Sequence, residues 1–243
     1  MTYGLISDIH GNLEALTAAL AELAGVDAFL CLGDIVGYGP DPAACVDRIR
    51  EQPRLTCIAG NHDLAALGHY DLNSFNPFAR KAIEWTRDQL SADQTAYLTS
   101  LQETAQVDDA IIVHGSLPGH MDYITNTDRA IDCFDAMSES LCLVGHTHVA
   151  EYYSNRPGSR VCEQVSLLPG GEILLEPGLR YIVNPGAVGQ PRDGNPAASC
   201  GIYDTEARTL KVRRVSYEVS VVQAKMRRVG LPDSLIDRLT FGR

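Results

Sequence analysis

Five short stretches of this chain set a carboxylate, an imidazole or an amide beside a glycine. They are Asp8-Ile9-His10-Gly11-Asn12, Gly33-Asp34-Ile35-Val36-Gly37-Tyr38-Gly39, Gly60-Asn61-His62-Asp63, His114-Gly115 and Gly145-His146-Thr147-His148. The chemistry these residue types serve together is metal binding. Asp8 and His10 stand two apart, so on an extended segment both side chains point the same way, and His146 and His148 repeat that spacing. Asp34, Asn61 and His114 bring the candidate donors to seven. One tetrahedral ion takes about four ligands, so seven donors suit two ions about 3.5–4 Å apart that share a bridge. A carboxylate bridges best, which makes Asp34 or Asp8 the bridging candidate. Oxygen and nitrogen donors without sulfur favour manganese, iron, zinc or cobalt over calcium or copper(I). Taken singly, each stretch is also compatible with ordinary Asn/Gly turn chemistry. Five of them in one chain are not explained that way.

The elements that must position these residues are readable from the apolar pattern. Each stretch follows a short apolar run: Tyr3 to Ser7, AFLCL (28–32), LTCIA (55–59), AIIV (110–113) and LCLV (141–144). The carboxyl end of such strands is where open α/β sheets bind ligands. Between the first runs lie helical signals. LEALTAALAEL has leucines at 13, 16, 20 and 23, one face of an amphipathic helix, and DPAACVDRIREQ begins a second helix at Pro42. Strand and helix in alternation predict a mostly parallel sheet covered on both faces. Residues 65–104 are expected to form a helical insertion, with helices capped at Asn76, before Pro77, and at Ser91. Beyond residue 149 the pattern changes to short strands (EYYS, VCEQV, EILLE, RYIVN, CGIYD, LKVRRVSY) separated by RPGS, PGG and EPG turns, an antiparallel signature. The tail, 221–243, is expected to hold two short helices broken at Gly230-Leu231-Pro232.

Length and composition bound the rest. With 243 residues, 45% of them hydrophobic, the chain suits one domain spanning 1–243. A net charge of −11, 7% aromatic residues and Trp85 as the single tryptophan argue against a nucleic-acid polymer as partner. The seven cysteines include no CxxC pair, so neither a disulfide framework nor a thiolate zinc site is signalled. Free thiols, the lack of a secretory pattern in MTYGLISD and the lack of a long apolar run lead us to expect a cytoplasmic protein without a membrane partner. A homo-oligomer is compatible with all of this.

In their order, DIHGN, GDIVGYGP, GNHD, HG and GHTH resemble the motifs of the calcineurin-like metallophosphoesterases, over roughly residues 3–190. The short spacing and the segment NPGAVGQPRDG (184–194) are similar to the compact prokaryotic branch of small phosphodiesterases and phosphatases. The resemblance implies a mixed α/β fold, a four-layer α/β/β/α sandwich with two packed mixed sheets. It also implies two divalent metal ions, manganese first, with iron, zinc, cobalt or nickel as alternatives. One ion would be held by Asp8, His10 and His148 and the other by Asn61, His114 and His146. Asp34, with a water or hydroxide, would lie between them. His62 would be catalytic and not a ligand, protonating the leaving alkoxide or hydrogen-bonding the phosphoryl group. The implied activity is hydrolysis of a small phosphate ester, a nucleotide-type phosphodiester first. A phosphomonoesterase, protein phosphatases included, and a non-catalytic scaffold of the same fold are the alternatives. One departure bears on that choice. The protein phosphatases of this superfamily carry GDxVDRG, and here Gly37-Tyr38-Gly39 stands where Asp-Arg-Gly would. Phosphate must then be gripped from elsewhere, with Arg192 and Tyr38 as candidates. The 65–104 insertion, Tyr38, Tyr123 and the 190–194 loop are expected to shape the pocket.

Overall fold

In the computed structural model, which describes residues 1–243, the short apolar runs become strands whose two faces are both covered. The strands are β1 (Thr2–Ile6), β2 (Ala28–Cys31), β3 (Leu55–Cys57), β4 (Thr104–Val107), β5 (Ala110–Val113), β6 (Leu141–Leu143), β7 (Ala150–Asn155), β8 (Cys162–Ser166), β9 (Gly171–Leu174), β10 (Arg180–Pro185), β11 (Ala198–Asp204) and β12 (Thr209–Val215). The helices are α1 (Leu13–Glu22), α2 (Pro42–Arg50), α3 (Asn61–Ala66), α4 (Pro77–Arg87), α5 (Ala92–Ser100), α6 (Thr127–Ala136), α7 (Val219–Arg228) and α8 (Asp233–Asp237).

Two six-stranded mixed sheets result. The first has the order β3-β2-β1-β11-β12-β9, with β1, β2 and β3 parallel and the other three added antiparallel. The second has the order β4-β5-β6-β10-β7-β8, with β5, β6 and β10 parallel. Side chains alternate between the faces of each strand. Leu5 and Leu30 meet Ile112, Leu143 and Val183 in the core between the sheets. Ile6, Phe29 and Cys31 face outward onto Leu16 and Leu20 of α1 and Val46 and Ile49 of α2. On the opposite outer face, Val113, Cys142 and Ile182 pack on Ile131 and Phe134 of α6. This is the α/β/β/α sandwich. Both expected caps form: the Asn76 side chain accepts from Phe78 N and Ala79 N at 3.0 Å, and Ser91 with Gln94 makes a capping box.

The structure corrects the strand reading in three ways. The first five apolar runs do not share one sheet; β1–β3 belong to the first and β5 and β6 to the second. Alternation of strand and helix is the same whether successive strands join one sheet or two, so the pattern could not separate them. The later strands are not one antiparallel block either. β9, β11 and β12 extend the first sheet, and β10 lies parallel to β6. Helix also begins earlier than expected, at Asn61 inside GNHD, and the strand β4 and the helix α6 were not foreseen. The tail forms α7 and α8 as expected, packed with Tyr38, Ala79 and Ala82. No helix is long and apolar enough to cross a membrane.

Candidate metal centre

The carboxyl ends of β1, β2, β3, β5 and β6 converge, and their polar residues are buried together. Asp8, His10, Asp34, His114, His146 and His148 are each no more than 3% exposed, and Asn61 is 6% exposed. Two groups of donor atoms form, one of Asp8, His10, Asp34 and His148 and one of Asp34, His114 and His146, with atoms within 4.8 Å of one another. Asp34 is the member common to both. His114 Nε2 lies 3.3 Å from Asp34 Oδ2, His10 Nε2 3.6 Å from the same oxygen, and His148 Nε2 3.3 Å from Asp8 Oδ1.

Convergence is achieved by turns and not by extended alternation. Asp8, His10, Asp34, His146 and His148 all have left-handed backbone, with φ of 53°, 49°, 56°, 67° and 60°. A residue with a Cβ pays on the order of 1–3 kcal/mol for such strain. Backbone hydrogen bonds hold it in place: Asp8 N donates to Gly33 O (3.1 Å) and His10 N to Asp34 O (2.9 Å). The expectation that Asp8 and His10, and likewise His146 and His148, aim together because they lie on extended chain is therefore corrected. Glycine is required where these turns touch. A Cβ on Gly60 would collide with the Asp34 carboxylate, and one on Gly145 with Ser7 Oγ.

The hydrogen bonds leave the ligand atoms free. Ring Nδ1 of His10, His114 and His148 faces a backbone carbonyl, of Val36 (3.1 Å), Leu32 (2.7 Å) and Gln190 (2.6 Å). A carbonyl only accepts, so each Nδ1 carries a proton, and in the neutral ring each Nε2 presents a lone pair. His10 Nε2 and His148 Nε2 then face each other at 3.1 Å, two acceptors with nothing to share unless a cation or proton lies between. His146 is the exception, for its Nδ1 is the unpartnered atom. Asp34 Oδ2, Asn61 Oδ1 and His114 Nε2 are likewise buried without a partner. Buried polar atoms are nearly always satisfied, and four orphans in one cluster fit a metal site. Except at His114, the charge state agrees. Burial would raise both carboxylates, but the imidazoles of His148 for Asp8 and His114 for Asp34 outweigh it and hold both below the usual carboxylate range. Burial lowers His10 and His148 and takes His146 to about 3, leaving neutral rings, the form that binds metal. For His114 burial is outweighed by Asp34 and Asp8, and the ring is raised to about 10, so its Nε2 holds a proton toward Asp34 Oδ2 that a cation would displace.

His62 and Asp63 follow Asn61 into α3 with different tasks. Asp63 accepts from the N–H groups of Asp34 (2.8 Å), Gly60 (3.0 Å) and Val36 (3.1 Å), tying the second and third strand ends together. The His62 ring lies among Tyr38, His10 and Phe75, at centroid separations of 4.4, 4.7 and 4.9 Å. Its buried Nδ1 has no partner and abuts Gly37, where any Cβ would collide with it. Burial lowers this ring to about 4.

Above the cluster opens a cavity of about 230 Å³, lined by Tyr38, Asn61, His62, Tyr70, Ser74, Phe75, Asn76, Tyr123, His146, Arg192 and Arg238. Arg192 makes no ion pair; its Nη2 donates to Tyr38 Oη (3.3 Å) and Gln190 Oε1 (3.2 Å), while the adjacent Asp193 pairs with Arg214. Tyr123 stacks on His146, with ring centroids 3.8 Å apart. The structure therefore brings Tyr38, Arg192 and Tyr123 to one cavity with the cluster, as expected. Arg238, in the turn after α8, was missed, because no motif or periodicity marks it.

This fold and this cluster agree with the comparison to known families. The calcineurin-like phosphoesterase superfamily domain matches residues 1–208, and the chain belongs to that superfamily. It is a hydrolase of phosphate esters, and its His/Asp cluster fits a dinuclear divalent-metal site. A crystallised metallophosphoesterase from Sphaerobacter thermophilus is 42% identical, covers 100% of both chains and superposes with a TM-score of 0.90. An uncharacterized protein of Methanocaldococcus jannaschii is 36% identical over 98% of this chain and 97% of its own length. A symmetrical bis(5'-nucleosyl)-tetraphosphatase of Yersinia pestis is 32% identical over 132 residues, covering 51% of this chain and 45% of that enzyme.

Proposed function

We propose that this chain is a dinuclear phosphodiesterase acting on a small, nucleotide-type ester. In this reading Asp8, His10 and His148 would hold one ion, Asn61, His114 and His146 would hold the other, and Asp34 would serve both. The observation that carries the assignment is that Asp34 alone belongs to both donor groups and has an unpartnered buried oxygen. When bound, two divalent ions, manganese in our reading, supply Lewis acidity toward the phosphoryl oxygens and make water a stronger nucleophile. The remaining work falls to side chains. His62 donates a hydrogen bond to the phosphoryl group. Gly37 gives its Nδ1 no carboxylate, so nothing on that side favours the imidazolium a proton donor needs. Arg192 and Tyr38 grip phosphate oxygens from the cavity rim, the guanidinium having no carboxylate of its own to satisfy it. Residues 1–243 act as one domain in this reading, since α7 and α8 share a core with Tyr38 beside the site.

A nucleotide-type ester is favoured by the aromatic side chains of the cavity, Tyr70, Phe75 and Tyr123, and by the partial likeness to the tetraphosphatase. The test is to assay the manganese-loaded protein against bis-p-nitrophenyl phosphate, p-nitrophenyl phosphate and 2′,3′- and 3′,5′-cyclic nucleotides. Faster turnover of the diesters supports the proposal. Preference for the monoester would make it a phosphomonoesterase, and no turnover of any substrate would favour a scaffold role.

A further inference from the structure

Two guanidinium groups, not one, line the cavity above the cluster: Arg192 from the loop after β10 and Arg238 from the turn after α8. Arg192 has no carboxylate within ion-pair distance and Arg238 has no Asp or Glu there, whereas Arg214 pairs with Asp193 and Arg227 with Asp237. Arg192 Nε is buried without a partner. Arg238 donates from Nε to the main-chain oxygen of the final residue, Arg243, and no hydrogen bond engages its Nη1 or Nη2. Holding two guanidinium groups side by side in one half-buried cavity, with Arg192 unneutralised and the Nη groups of Arg238 unengaged, is costly unless an anion joins them. The cavity lining supplies no acid; its other members are aromatic, hydroxyl, amide and imidazole side chains. Burial, together with the charge of Arg192, pulls the Arg238 guanidinium below its usual range.

The tail is built to keep Arg238 there. Leu235, Ile236 and Leu239 of this segment pack with Tyr38 and with Ala79 and Ala82 of α4. Gly194 N donates to Gly242 O (2.9 Å), which fastens the end of the tail to the loop that carries Arg192. Gly242 has a φ of 61°, and a Cβ there would collide with the backbone of Asn195. The two arginines are thus coupled through one backbone contact.

We infer that Arg238 is a specificity residue that binds a second phosphate group of the substrate, beyond the phosphate being cleaved. This rests on the proposed reading of the site as a phosphoesterase centre. There the scissile phosphate is served by the metal ligands, His62 and Arg192. A simple diester carries one negative charge and leaves Arg238 unmatched. A substrate with two or more linked phosphates, such as a nucleoside polyphosphate ester, matches it, with the aromatic side chains left for the nucleoside.

The test compares AMP and ADP, which differ by one phosphate, by calorimetric titration of the manganese-loaded full chain. Chelation in solution is common to every variant and cancels from the comparison. Wild type is expected to bind ADP about tenfold or more tightly than AMP, the order of one charge-assisted contact. Arg238→Gln should bring that ratio close to one, and Arg238→Lys should restore part of it. Gly242→Val, which keeps the Arg238 side chain but unseats the tail, should lower the ratio as well. A ratio that Arg238→Gln leaves at the wild-type value would overturn the inference, and an unmoved ratio in Gly242→Val would overturn the role of the tail. Calorimetry needs no turnover. A wild type that hydrolyses none of the esters named above sinks the phosphoesterase reading by itself, and one that fails on the diesters alone sinks the phosphodiesterase reading, while the ratio still decides the inference.

Discussion

The floor and the wall of the cavity are made by opposite means. The floor consists of strand ends, with its side chains almost fully buried, strained in the left-handed region and cross-tied by Asp63 and by three carbonyl-bound imidazoles. The wall comes from Tyr38, Tyr70, Phe75, Tyr123, Arg192 and Arg238, side chains on loops and turns outside both sheets, and of these only Tyr38, with φ of 31°, has left-handed backbone. Strain is stored where a geometry must be held against the preference of the chain. Its concentration in the floor, at Asp8, His10, Asp34, His146 and His148 against Tyr38 alone in the wall, fits a metal site that tolerates little change there. The wall sets which ester is accepted, and can vary at smaller cost.

That difference is open to test, from the largest effect to the smallest. Asp34→Asn removes the carboxylate proposed to be shared by both ions. Activity with bis-p-nitrophenyl phosphate should fall about a thousandfold or more, and plasma mass spectrometry should show metal lost with it. Retention of both ions would instead remove Asp34 from the bridge. His62→Gln stands at the border between the regions. Turnover of bis-p-nitrophenyl phosphate and of esters with poorer leaving groups should drop alike, about a hundredfold to a thousandfold, at unchanged metal content, and loss of metal would make His62 a ligand. Arg192→Gln lies in the wall, so KM should rise about tenfold to a hundredfold while kcat changes less. A fall in kcat alone would place Arg192 in the chemistry. Tyr123→Leu should have the smallest effect, about threefold to tenfold on kcat/KM, from losing its stack on His146. If it proved as severe as Asp34→Asn, the division between floor and wall would not stand.

The two regions also differ in how far the amino-acid sequence discloses them. Metal chemistry accepts few residue types, so Asp8, His10, Asp34, Asn61, His114, His146 and His148 announce themselves by type and by their place after apolar runs. The left-handed turns that aim them do not, because Asp8-Ile9-His10 is compatible with extended chain until tertiary hydrogen bonds decide. The partition of strands between two sheets was hidden for a related reason. Leu5, Leu30, Ile112 and Leu143 are equally apolar whichever sheet their strands join. α6 escaped because TDRAIDCFDA interrupts its apolar residues with charges, and its buried face is settled by the second sheet. For the wall, many residue types can line a cavity. Arg192 drew notice only through its nearness to the NPG turn, and Arg238 through nothing in its neighbourhood.

The claim on which the rest depends is that two ions share Asp34. Anomalous diffraction at the manganese edge, from crystals grown with manganese, addresses it most directly. We expect two peaks flanking the Asp34 carboxylate, about 3.5–4 Å apart, one beside His10 and His148 and the other beside His114 and His146. A single peak, or two peaks neither of which adjoins Asp34, would contradict it.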